Sequence, residues 1–118
     1  MGDLSKDFSM KEFECTCGCG EVFVDANLIH VLQSVRSQYG KQIKITSGYR
    51  CKKHNAAVGG KPDSAHLKGM AADILTDNSR DRYSLLRLLA ISSRVGIGHS
   101  FIHVDVDETK PQGVCWVY

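Results

Sequence analysis

At 118 residues, 42% of them hydrophobic and 24% charged, the chain has the make-up of one modest globular domain and is too short for a second core. The formal net charge of +2 makes no electrostatic case for nucleic acid, although it suits an anionic surface. No apolar run reaches membrane-spanning length, so insertion into a bilayer is not expected.

Residues 1–12 are polar and read as a lead-in, anchored to the domain by Phe8, Met10 and Phe13. The stretch Met1 to Asp7 lacks the apolar core of a signal peptide, which predicts synthesis in the cytoplasm or a chain whose leader has been removed. The five cysteines, Cys15, Cys17, Cys19, Cys51 and Cys115, are an odd number, against a complete disulfide framework. Cys15-x-Cys17-x-Cys19 lacks the two-residue spacing of a zinc knuckle. If extended, it would turn three sulfurs to one face, where Cys51 could complete a set of four; Gly18 and Gly20 equally allow a tight loop. Reduced, buried thiols are the default expectation, with a structural metal or a Cys51 disulfide as the alternatives.

Leu28, Val31, Leu32, Val35 and Tyr39 recur at helical spacing, with Asp25 as N-cap and Gly40 as the stop; His30 lies off the stripe, facing solvent. Residues 41–46 alternate as a strand with Ile43 and Ile45 inward, delivering Ser47-Gly48-Tyr49-Arg50 to a loop. Residues 52–58 suit a short helix, and Lys61-Pro62-Asp63 turns the chain after Gly59-Gly60. Residues 69–75 read as a strand, Asn78 or Ser79 caps a helix carrying Leu85, Leu86, Leu88 and Leu89, and Gly96 and Gly98 bracket a turn. Residues 101–106 and 113–118 are strands, the last with Val114, Trp116 and Tyr118 on one face. The expected fold is α+β, a small, mainly antiparallel sheet packed by two principal helices, with 1–118 as a single domain.

Chemistry concentrates in Ser64-Ala65-His66-Leu67-Lys68-Gly69-Met70-Ala71-Ala72-Asp73 and in Phe101-Ile102-His103-Val104-Asp105. In a strand over 69–75, Asp73 lies opposite Ala72 and Ile74, where an unpaired carboxylate is costly and a metal would satisfy it. Two histidines and a carboxylate suit zinc, and three protein ligands leave a fourth position for water. Taken alone, His-x6-Asp is better read as a surface histidine in a loop and an acid at a strand edge.

Ser64-x-His66-x-x-Gly69-x-Ala71-x-Asp73, preceded by Ser47-Gly48-Tyr49-Arg50 and followed by His103-Val104-Asp105, resembles the M15-type zinc D-Ala-D-Ala carboxypeptidases and peptidoglycan endopeptidases, especially short single-domain members from bacteriophages and bacteria. The resemblance runs from about Phe8 to about Asp107. It implies a compact α+β fold of the hedgehog and D-Ala-D-Ala peptidase kind and one catalytic Zn2+ on His66, Asp73 and His103. It further implies a monomer acting on the peptidoglycan stem peptide, and a phage-lysin-like chain working at the cell wall.

Such an enzyme needs a water nucleophile of lowered pKa, a group to carry its proton to the leaving amine, and a cation for the developing oxyanion. The resemblance gives Arg50 a contact with substrate or transition state, and Ser64 either bonds substrate or shapes the turn. Many relatives place Glu or Asp three residues before the last histidine, where this chain has Ser100. Asp105, on the strand face of His103, is the expected general base, ahead of His99 and then His54. Two rivals remain: a metal-stabilised, catalytically inactive wall-binding module, and a cysteine-based zinc protein for nucleic acid, which leaves the His-Asp-His set unexplained.

Overall fold

The computed structural model describes residues 2–118. Helix α1, Ala26–Tyr39, starts where the Asp25 carboxylate accepts the Asn27 N–H and ends at Gly40, as its sequence signals predict. Its stripe of Leu28, Leu32 and Val35 is buried, and His30 is exposed. Helix α2, Lys52–Ala57, is short; α3, Ser79–Leu89, is capped by the Asn78 side chain and buries Leu85 and Leu89. Two 3-10 turns, Met10–Phe13 and Ala65–Lys68, complete the helical elements.

Five strands form one mixed sheet in the order β1-β2-β4-β3-β5, from β1 (Ile45–Ser47), β2 (Ala71–Leu75), β3 (Arg94–Ile97), β4 (Phe101–Asp105) and β5 (Val114–Val117). All neighbours are antiparallel except β3 and β5. Alternation divides the sheet: Ala72, Ile74, Val95, Ile102 and Val104 join the α1 and α3 side chains in the core, and the residues between them face away. Each fully buried Leu or Ile contributes on the order of 2 kcal/mol. Phe8 and Phe13 are in that core, whereas Met10, expected to anchor with them, is exposed.

Two strand expectations need correction. The one over 41–46 shrinks to Ile45–Ser47, with 41–44 irregular and a register shift against β2 between Ile45 and Ser47. Gly96, expected at a turn, lies inside β3; a Cβ there would sit 2.5 Å from the Trp116 indole nitrogen, so the missing side chain is what lets Trp116 lie across the strand.

Candidate metal centre

One row of the sheet carries the site. Ser47, Asp73, His103, Gly96 and Trp116 are register partners across β1, β2, β4, β3 and β5, all on the face away from the core. His66 arrives from outside the sheet on the Ala65–Lys68 turn, whose N-cap is the Ser64 hydroxyl accepting the His66 N–H at 3.2 Å. His66 Nδ1 bonds the Gly48 carbonyl at 2.7 Å, leaving Nε2 3.4 Å from Asp73 Oδ1. His103 Nδ1 lies 3.0 Å from the same oxygen, and its Nε2 is 2.7 Å from Asp105 Oδ2. Each imidazole is thus held by one nitrogen and turns the other toward Asp73.

All three residues are buried, and their donor atoms lie within 4.8 Å of one another. Zinc bonds of about 2.0–2.1 Å to nitrogen or oxygen give tetrahedral ligand edges of about 3.3 Å. Two of the three edges, 3.4 and 3.0 Å, lie near that value and the third is within 4.8 Å, so the donor set fits the metal. Burial alone would raise the Asp73 carboxyl, but the hydrogen bonds and charges of His103 and His66 outweigh it and hold it well below the usual carboxylate range. Burial lowers the His103 pKa, yet bonds from Asp105 and Asp73 leave it raised overall.

The profile of the Peptidase M15 family matches residues 6–105. The chain belongs to the Peptidase M15 family. No curated protein matches it. M15 peptidases are zinc enzymes as a family, and the matched span contains all three donors.

In this M15 chain Arg50 stands beside the centre: NH2 is 3.6 Å from Asp73 Oδ2, Nε donates to Ser47 Oγ at 3.2 Å and NH1 to Asn55 Oδ1 at 3.4 Å. Gly48 belongs to its motif because two backbones meet there; a Cβ would lie 2.7 Å from Phe13 Cα. Asp105 is on the expected face but beyond His103, with both oxygens engaged. Oδ2 takes the His103 ring, and Oδ1 accepts Arg94 Nε at 2.8 Å and the Asp107 N–H at 3.2 Å. Burial would raise the Asp105 carboxyl, and His103 and Arg94 bring it below its ordinary value. A carboxylate so placed is suited to orienting the imidazole, and both of its oxygens already have partners.

His99 is not brought to the centre. It is exposed in the bend before β4, its carbonyl accepting from Arg82, and it is not among the residues whose donor atoms converge with His66, Asp73 and His103. His54 instead meets Thr16 Oγ1 at 3.0 Å, and Ser64 is spent on capping. Ser100 is exposed in the same bend as His99.

Four contributors were missed as site residues. Asn55, 3% exposed, clamps Arg50 and donates to the Lys61 carbonyl; Arg94 pairs with Asp105 and stacks 4.9 Å from the Trp116 ring. Trp116 and Tyr118 line His103 at 5.5 and 6.5 Å between ring centroids. Their shared strand face was visible in the alternation, but its proximity to His103 depends on β3 lying between them.

Proposed function

We propose that the protein is a zinc-dependent peptidase that hydrolyses a peptide bond of the bacterial peptidoglycan stem peptide, acting at the cell wall. The observation that carries this is the convergence of His66 Nε2, Asp73 Oδ1 and His103 Nδ1 at tetrahedral spacing, with the Arg50 guanidinium on the second Asp73 oxygen. Zinc bound there would polarise a scissile carbonyl and lower the pKa of a water. Gly48 and Asp105 fix the two imidazoles by their far nitrogens, so the donor atoms are in place before metal or substrate arrives. Arg50, 17% exposed, is held by Ser47 and Asn55 and offers a fixed cation to a substrate carboxylate or a developing oxyanion. Trp116 and Tyr118 provide an aromatic wall against which a peptide can lie.

A second reading has one observation in its favour. With Asp105 engaged on both oxygens and Ser100 at the position where relatives carry an acid, a metal-stabilised wall-binding module without turnover fits the same geometry. Incubation with purified peptidoglycan separates the two. Release of soluble fragments, lost on chelation and restored by Zn2+, is the expected result, and mass spectrometry of the fragments identifies the bond cut. Binding to the wall without release at any zinc concentration would replace the peptidase reading with the second one.

A further inference from the structure

Away from the His-Asp-His centre, four of the five cysteines gather at one point. Phe13 anchors the chain in the core, Cys15, Cys17 and Cys19 follow on a loop closed by the Cys15 N–H on the Glu21 carbonyl, and the left-handed Gly18 and Gly20 curl it. Cys51 comes from the other side as N-cap of α2. The Sγ atoms of Cys15 and Cys17 are 3.5 Å apart, Cys15 and Cys51 3.8 Å, and Cys17 and Cys51 3.7 Å; Cys19 lies with them, every pair within 4.8 Å. Cys115 is elsewhere, exposed on β5.

Those spacings discriminate between occupants. Sulfurs bonded to zinc at about 2.3 Å sit at tetrahedral edges of about 3.8 Å. A disulfide would bring two of them to about 2.05 Å and leave the other two without a role. We propose that Cys15, Cys17, Cys19 and Cys51 form a second zinc site, closed and structural, independent of the centre on His66, Asp73 and His103.

Three backbone N–H groups already point at sulfur as they would at thiolates: Cys51 N to Cys15 Sγ at 3.5 Å, His54 N to Cys51 Sγ at 3.4 Å and Glu21 N to Cys19 Sγ at 3.4 Å. Binding is a proton exchange in which four thiols and Zn2+ give a four-thiolate complex of net charge −2 and four protons. Lys52 and Lys53, directly after Cys51, offset that charge. Four protein sulfurs leave no open position, so the site holds structure and does no chemistry. What it holds is the loop of residues 13–19 against the segment that ends in Arg50-Cys51, joined also by the Tyr49 N–H on the Phe13 carbonyl at 2.8 Å.

The test is zinc stoichiometry in protein purified under reducing conditions and loaded with Zn2+. His66→Ala/His103→Ala protein is expected to keep one tightly bound zinc whether or not the wild type cleaves peptidoglycan, and Cys17→Ser/Cys19→Ser to lose it. Loading the histidine variant with Co2+ should produce the near-ultraviolet charge-transfer absorption of thiolate ligation. If the cysteine variant fails to fold, thiol titration of the native zinc-loaded wild type decides. Of its five cysteines, Cys115 alone should react quickly, the other four only after chelation. Absence of zinc from the histidine variant, five rapidly reactive thiols, or a Cys15–Cys51 disulfide found by mass spectrometry would each overturn the proposal.

Discussion

Replacing Asp105 by Asn tests the geometry of the centre most directly. The carboxylate is 2% exposed and divides its oxygens between the His103 ring, at 2.7 Å, and the Arg94 guanidinium, at 2.8 Å. An Asn side chain can still accept one hydrogen bond, but its NH2 facing His103 Nε2 favours the tautomer that puts hydrogen on Nδ1, the nitrogen turned to Asp73. Metal affinity should therefore fall by about ten- to a hundredfold, the usual scale for an orienting partner. Turnover in saturating zinc should stay within about tenfold of wild type, since a lost general base would cost about a hundredfold or more.

Stability should fall as well. Arg94 keeps the Pro111 carbonyl at 2.7 Å, the Trp116 ring and an amide oxygen to donate to, but it loses the bond to a charged carboxylate. Such a bond contributes about 2 kcal/mol, and at about 4 °C per kcal/mol for a domain of this size the melting temperature should drop by about 8 °C. Zinc competition against a chromophoric chelator, fragment release in saturating zinc and thermal unfolding measure the three effects separately. Unchanged zinc affinity with a hundredfold loss of turnover would refute the reasoning and return the proton to Asp105.

Arg50→Ala should keep zinc and fold but lose about a hundredfold or more in turnover, as for one preorganised oxyanion partner; near-normal fragment release would reject the role. The raised His103 pKa means that metal must displace a proton even above the ordinary histidine value near 6.5, so zinc affinity should weaken as pH falls through neutrality; calorimetry in buffers of different ionisation enthalpy should detect proton release at pH 7. The metal-free protein should show the opposite trend from this group, its His103 contribution being complete below about pH 6.5 and lost as pH rises through the folded value. Asp107→Asn should destabilise by about 1–3 kcal/mol, because the buried carboxylate pairs Lys68 at 3.0 Å and Lys110 at 2.7 Å; the wild-type contribution should be present above about pH 4 and fade below it in denaturant titrations. Gly96→Ala should push Trp116 off the sheet and red-shift the emission of the chain's one tryptophan, with an unshifted spectrum arguing against the packing described.

Helix α1 and the residues of the centre could be read from the chain because their causes are local. A cap, a 3.6-residue stripe and a stop residue lie within the fourteen residues of α1 and its flanks. The period of two in β4 likewise put His103 and Asp105 on one face. It could not say which side of the imidazole Asp105 would occupy, because that depends on Arg94, and Arg94 sits in β3, whose Gly96 reads as a turn until Trp116 is seen lying over it. The strand read as a turn and the side of the imidazole that Asp105 takes thus have one cause, a cross-strand contact with no local signature.

The segment of residues 47–51 shows why the centre depends on parts of the chain that carry none of its ligands. Ser47 is the β1 end of the register row, and its hydroxyl accepts Arg50 Nε. The Gly48 carbonyl fixes His66, Tyr49 is tied to Phe13, and Cys51 faces the cysteine loop. One imidazole and the guanidinium beside Asp73 are therefore positioned by backbone held from behind by residues 13–19. A displacement of about 1 Å is enough to cost a preorganised site about a hundredfold in rate. The loop of residues 13–19 therefore acts on the chemistry through Arg50 and His66, and loosening it should lower turnover while Asp73 and His103, fixed by the sheet itself, keep their places.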